Sequence, residues 1–249
     1  MQLTILGAGT AVPSAHRSPA GVLVRVGDTP LLFDMGPGTL ARLAEAGVSY
    51  RDLEYVFLTH LHSDHTLDLV TFLQVNESTP GWTRTTPVHL TGCRGTQRLY
   101  EQLMSAYPGC APRSYALEIR ELGAERLEFG AWSIETALTG HTGGSIAYRI
   151  QADGQAVVYT GDTVESDDVK RLARAVDVLI CECAFPRGWV TPDHMTADAV
   201  GRVAHAANTR RVVLTHLYPP AQAVDIVAQV RQEYAGEIIV ALDGMQITV

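Results

Sequence analysis

Short apolar runs rich in Val, Ile and Leu recur along the 249-residue chain, each closed by Gly, Pro, Asp or a polar pair. The runs at 3–6, 22–26, 31–33, 55–58, 157–159, 178–180, 212–214 and 238–242 have the length and β-branched content of strands. Between them apolar positions take helical spacing. Leu40, Leu43 and Ala44 follow a Gly-Pro-Gly turn, and Leu99, Leu103 and Tyr107 precede Pro108-Gly109. Val169, Leu172, Ala173 and Val176 follow a Ser166 cap, and Val200, Val203, Ala204 and Ala207 follow Thr196. Val224, Val227, Ala228 and Arg231 predict one more helix after Pro219-Pro220. Strands interleaved with helices give a mixed α/β class, and with no linker or short repeat one domain over 1–249 is expected.

Composition narrows the class. With 46% apolar and 18% charged residues the chain carries enough apolar surface to fold, and no run approaches the roughly 18 apolar residues of a spanning helix. The start, MQLTILGAGTAVP, lacks the basic and long apolar regions of a signal peptide and reads as a first strand. Cys93, Cys110, Cys181 and Cys183 are too few and too irregular for a disulfide framework, so a reducing cytoplasm is the expected compartment. Acids outnumber bases 27 to 19, and Lys170 is the single lysine. The net charge of -8 argues against a broad electrostatic grip on nucleic acid, although arginine suits bidentate phosphate contacts.

Four apolar runs end on residues that bind metal or move protons: Val-Phe-Leu-Thr-His60, Val-Val-Tyr-Thr-Gly-Asp162, Val-Leu-Ile-Cys-Glu182 and Val-Val-Leu-Thr-His216. Strand carboxyl ends are where α/β sheets present ligand sites, so the four point to one shared site. The densest feature is His60-Leu61-His62-Ser63-Asp64-His65. His60 and His62, two apart in an extended turn, can face one ion, while Asp64 and His65 are displaced toward a second. Residues 66–75, which follow, have helical composition, and His141 sits in a Gly-His-Thr-Gly-Gly turn.

This order of motifs, H-x-H-x-D-H, a distant His, a Gly-Asp-Thr aspartate and a final Thr-His, resembles the metallo-β-lactamase superfamily. The resemblance runs from Gly7-Ala8-Gly9-Thr10 through Leu32-Phe33-Asp34-Met35-Gly36 to Ala241-Leu242-Asp243-Gly244-Met245. It implies an αββα sandwich whose two similar halves meet at the site. By position, His60, His62 and His141 would hold a first divalent ion, Asp64, His65 and His216 a second, and Asp162 would bridge them. Zinc is the favoured metal, and manganese and iron also accept this donor set. Such centres use a metal-bridging hydroxide.

Two further segments are similar to the ribonuclease Z and phosphodiesterase branch: Cys181-Glu182-Cys183-Ala184-Phe185, and His194-Met195-Thr196-Ala197-Asp198-Ala199. There a Glu orients a His that protonates the leaving oxygen, which assigns catalytic roles to Glu182 and His194 beside Asp64. The plainer alternatives are a salt bridge for Glu182 and a polar helix-start residue for His194. Cys181 stands where the family has His, and Cys183 replaces a small residue; both read as core thiols, with a redox pair or extra ligand as the other option. Only 20 residues separate His141 from Asp162, filled by a hairpin turning at Asp153-Gly154. That leaves no room for the tRNA-holding arm of the short ribonuclease Z type. A small phosphodiester or nucleotide is therefore the expected substrate, RNA remains compatible, no membrane partner is expected, and a homodimer is compatible.

Trp82 and Arg84 in the 76–87 segment are candidates for a substrate rim or an ordinary surface loop, and His16-Arg17-Ser18 for phosphate contact. His89 and His205 lack motif support. The readings that compete with a phosphodiesterase are hydrolysis of a lactone, thioester or aryl sulfate by the same centre, and a metal-bearing accessory protein without turnover.

Overall fold

The computed structural model describes all of residues 1–249. The first strands are Gln2–Gly7 (β1), Gly21–Val26 (β2), Thr29–Phe33 (β3), Tyr55–Leu58 (β4), Val88–Cys93 (β5) and Leu117–Leu122 (β6). An antiparallel β1-β2-β3 meander continues as parallel β4, β5 and β6. A second set comprises Arg126–Glu128 (β7), Trp132–Leu138 (β8), Ile146–Ala152 (β9), Gln155–Tyr159 (β10), Val178–Glu182 (β11), Arg211–Thr215 (β12) and Glu237–Val240 (β13). It repeats the scheme, antiparallel through β10 and parallel beyond. The last strand, Gln246–Thr248 (β14), returns to pair with β1, so each sheet has seven strands.

Period-2 alternation explains why two sheets stack with helices outside. Along β2, β3 and β4, Val22, Val24, Leu31, Phe33 and Phe57 enter a central cluster, while Leu23, Leu32, Val56 and Leu58 face the other way. Val157, Tyr159, Val178, Ile180 and Val213 complete the central layer from the second sheet. The outward side of the first sheet packs on Thr39–Glu45 (α1), Asp68–Ser78 (α3) and Thr96–Ala106 (α4). That of the second packs on Asp167–Leu172 (α5), Ala197–Ala207 (α6) and Ile226–Arg231 (α8). Strands apolar on both faces are what a doubly covered sheet requires. The predicted αββα sandwich is thus the observed one, and no helix is long and apolar enough to cross a membrane.

Ser166 caps α5 as predicted, its hydroxyl accepting from Val169 N. Two helical expectations need correction. Residues after Pro219-Pro220 form two short helices, Pro219–Gln222 (α7) and then α8, because Asp225 opens a fresh N-terminus by accepting from Ala228 N at 2.9 Å. The break turns Ile226 and Val230 into the core and leaves Val224 40% exposed. Helix α6 begins after Thr196, but the Thr196 hydroxyl does not cap it. Its backbone lies instead alongside Phe185, whose carbonyl accepts from Ala197 N.

The 76–87 segment also differs from its readings. Arg84 is 1% exposed, and its guanidinium donates to Asn76 Oδ1 at 2.6 Å, Thr86 Oγ1 at 3.0 Å and the carbonyls of Tyr50, Arg51 and Leu53, each at 3.0 Å. Trp82 packs edge-on against Tyr50. Arg84 is therefore not on a substrate rim; it ties the turn at Tyr50–Asp52 to α3. Arg84→Met should therefore leave several buried acceptors unpaired and lower stability by about 2–4 kcal/mol, read as the urea midpoint at constant slope. A loss under about 0.5 kcal/mol would contradict this clasp.

Candidate metal centre

Every residue of the site follows a strand or lies in the turn beyond it. Asp34 follows β3, His60 and His62 follow β4, and the single turn Ser63–Thr66 (α2) carries Asp64 and His65. His141 follows β8, Asp162 follows β10, Glu182 ends β11 and His216 follows β12. Gly161, at φ 55°, lets the β10 turn lie on the β4 turn, since a Cβ there would fall 2.5 Å from the Thr59 side chain. Asp34 and His216 also occupy the left-handed region, with φ of 59° and 54°.

The ligating atoms of His60, His62, His141 and Asp162 lie within 4.8 Å of one another, and those of Asp64, His65 and His216 form a second such group. Asp162 faces both. Its Oδ2 is 3.7 Å from Nε2 of His60 and of His141, and its Oδ1 is 3.4 Å from His65 Nε2 and 3.5 Å from His216 Nε2. The structure brings together all seven residues singled out as ligands.

Hydrogen bonds on the far nitrogens fix the rings. The Thr59 hydroxyl donates to Asp34 Oδ2 and so accepts from His60 Nδ1 at 3.0 Å. His65 Nδ1 donates to Asp34 Oδ2 at 2.7 Å, and His141 Nδ1 to the Asp193 carbonyl at 2.7 Å. The Nε2 atoms of these three imidazoles consequently face inward. His60 Nε2, His65 Nε2 and Asp162 Oδ1 are buried with no hydrogen-bond partner. His141 Nε2 and His62 Nδ1 confront each other at 3.2 Å. Buried polar atoms are nearly always partnered, so inward ligand atoms converging on one space fit divalent cations, as the all-nitrogen and oxygen donor set does.

The electrostatics agree. Burial, with His65 beside it, pushes His60 down to about 2, and burial with His141 lowers His62. Burial opposes ionisation of Asp64 and Asp162, yet the His216 and His65 contacts hold Asp64 down at about 2 and Asp162 well below its usual range. These are the ligand states a cation needs. His65 is the exception. Burial opposes its charge, but Asp162 and Asp34 raise its pKa well above normal, so without a cation it keeps a proton that a metal would displace.

Beside the cluster, His194 Nδ1 lies 3.0 and 3.1 Å from the two oxygens of Glu182, which also accept from Thr163 N and Met195 N. Burial raises the Glu182 carboxyl pKa, and against its own burial His194 is pushed up to about 9 by Glu182. His194 is also within ligating reach of Asp162 and His216. Cys181 and Cys183 are free thiols in the core beneath α6, with pKa values raised by burial.

Two supporting residues escaped functional assignment from sequence. Asp34 is fully buried and also accepts from Thr59 N at 2.8 Å and Tyr159 OH at 2.8 Å. Its placement after an apolar run, like that of His60, was the available signal. Asp243 accepts from Ala8 N and Ser18 N, and the Ala8 carbonyl in turn accepts from His216 N at 3.1 Å. Arg17 donates to the Ala241 carbonyl, which ties the first loop to the same corner. His89 stacks on Tyr55 and pairs with Glu118, and His205 is exposed on α6. Asp34→Ala should strand Thr59, His65 and Tyr159 and cost about 3–5 kcal/mol in urea unfolding. A cost below about 1 kcal/mol would show that the site does not hang on this carboxylate.

A family model described as "Beta-lactamase superfamily domain" matches residues 29–217. The chain is 30% identical to an uncharacterized protein of Mycobacterium leprae, over 98% of this chain and 87% of that one. It is 27% identical to a ribonuclease Z of Myxococcus xanthus, over 99% and 97%. The crystal structure of YhfI from Bacillus subtilis, a metallo-β-lactamase fold protein, superposes with a TM-score of 0.86 at 24% identity, covering 99% of this chain and 98% of that one. With the two sheets, the converging donors and a match over three-quarters of its length, the chain belongs to the metallo-β-lactamase superfamily.

Proposed function

We propose that this metal-dependent hydrolase cleaves a phosphodiester, with His194 as the proton donor to the leaving oxygen. The observation that carries the reading is the Glu182–His194 pair at 3.0 Å, set within ligating distance of Asp162 and His216. An alkoxide leaving from phosphorus needs a proton, whereas a site that only activates water does not need a second histidine oriented by a buried carboxylate. Glu182 holds Nδ1 of His194, which leaves Nε2 free to face substrate. Divalent ions held by His60, His62, His141, Asp162, Asp64, His65 and His216 would supply Lewis acidity, an activated water and charge neutralisation on the phosphoryl oxygens. Zinc suits these donors best, with manganese or iron as substitutes. Asp162 faces both donor groups, and Asp64 is held ionised beside His216.

The β9–β10 hairpin fills most of the interval between His141 and Asp162, which supports a small diester or nucleotide over a substrate that requires a long holding arm. Kinship with a ribonuclease Z supports the phosphodiester class.

His194→Ala separates proton donation from the rest of the site. Turnover of an alkyl-leaving diester should fall about 100- to 10,000-fold, and that of bis(p-nitrophenyl) phosphate less than about tenfold, because nitrophenolate leaves unaided. Equal losses on both substrates would refute the role of His194. Wild-type turnover of a lactone, thioester or aryl sulfate, with every diester inert, would refute the phosphodiester itself.

A further inference from the structure

Tyr218 stands across the gap between His194 and His216. Its ring centroid is 5.5 Å from that of His216 and 5.7 Å from that of His194, and those two imidazoles lie close to parallel, 5.6 Å apart at 24°. Tyr218 meets both steeply, at 77° and 64°. One face of its ring is taken by Phe185, stacked at 5.4 Å and 11°, and Trp189 stacks on Phe185 in turn at 5.2 Å and 3°. The charges of Asp162, Asp64, Glu182 and Asp193 all act on its phenol. These carboxylates come from both donor groups and from the loop before His194, so the hydroxyl lies on the side of the cluster.

The backbone holds the ring in place. Pro219 confines Tyr218 to an extended conformation, observed as φ -70° and ψ 162°. Its amide donates to the Ala184 carbonyl at 3.2 Å, and its own carbonyl accepts from Ala221 N and Gln222 N, which opens α7. The hydroxyl is left over. Those of Tyr50, Tyr148, Tyr159 and Tyr234 each pair with a protein oxygen at 2.7–2.9 Å, whereas that of the half-buried Tyr218 pairs with no protein atom, carboxylates nearby notwithstanding. Packing on Phe185 needs only the ring, which phenylalanine would supply as well. The extra group is a donor aimed at a site where charge develops.

We propose that Tyr218 is a further catalytic residue, whose hydroxyl donates a hydrogen bond to a non-bridging phosphoryl oxygen lying between His194 and His216. The proposal rests on the phosphodiester reading above. Negative charge spreads over the non-bridging oxygens as the ester bond breaks, and a fixed donor there holds the transition state. The phenol keeps its proton throughout. His194 supplies the proton that departs with the alkoxide, so the two residues act on different oxygens.

Tyr218→Phe removes the hydroxyl and keeps the ring and its stack. On the zinc-loaded protein, kcat/KM for bis(p-nitrophenyl) phosphate should fall about 10- to 100-fold, more than His194→Ala lowers it, because a non-bridging oxygen gains charge whatever the leaving group. The alkyl-leaving diester should fall by the same factor, with zinc content and urea midpoint at wild-type values. Unchanged turnover of the nitrophenyl ester would overturn the contact. A loss confined to the alkyl diester would also overturn it, since Tyr218 would then only position His194, and so would loss of zinc from the variant. Binding gives a readout that needs no turnover: inorganic phosphate, titrated calorimetrically, should bind the zinc-loaded variant about 5- to 50-fold more weakly than wild type. If the wild type hydrolyses neither ester, the phosphodiester reading falls and phosphate decides alone. Weaker binding by the variant then upholds the Tyr218 contact, and equal binding, or none to either protein, overturns it.

Discussion

The buried carboxylate of Asp34 is the junction on which the site depends. Its two oxygens accept from Thr59 N, the Thr59 hydroxyl, His65 Nδ1 and Tyr159 OH, which joins the ends of β3 and β4 in one sheet to β10 in the other. Tyr148 OH on the Leu58 carbonyl and Ile146 N on the Thr59 carbonyl add two more ties between the sheets nearby. Across the central layer the sheets meet through apolar side chains, whose attraction does not specify a direction. At this edge directional bonds set how the strand ends face one another, to within the tolerance a ligand cluster needs.

That geometry concentrates polar groups where burial is costly. Asp162 is 2% exposed, His60 and His65 are fully buried, and three of their inward atoms lack protein partners. In an apolar interior each such atom costs about 1–3 kcal/mol, a penalty that bound cations remove. Folding and ion binding are thereby linked. The left-handed backbone at Asp34 and His216 belongs to the same pattern, local strain held by surrounding hydrogen bonds where chemistry is placed.

The sheet framework and the chemistry-bearing strand ends were legible in the sequence because both follow from local pattern. Apolar runs closed by His60, Asp162, Glu182 and His216 state an element and its cargo together. What local pattern misses is where a polar side chain finds partners far along the chain. Asp34 lies 125 residues from Tyr159, and Arg84 reaches back 31 residues to Leu53: the apolar run before Asp34 marks a strand end but not the partners that make it a junction, and nothing beside Arg84 marks it as a clasp. Asp225 shows a smaller failure of the same kind: the helical spacing around Val224 is continuous, yet one capping side chain restarts the helix. The stack of Phe185, Trp189 and Tyr218 was equally hidden, since its rings meet only once β11 and β12 lie side by side.

We propose that the converging imidazoles and carboxylates hold two divalent ions, with Asp162 facing both donor groups. Metal analysis of the purified, zinc-reconstituted protein by mass spectrometry tests it most directly, alongside Asp162→Ala. Close to two ions per chain are expected, matching the two donor groups, with loss of at least one of them in the variant. A folded protein with no tightly held ion, or an Asp162→Ala variant with the wild-type metal content, would contradict it.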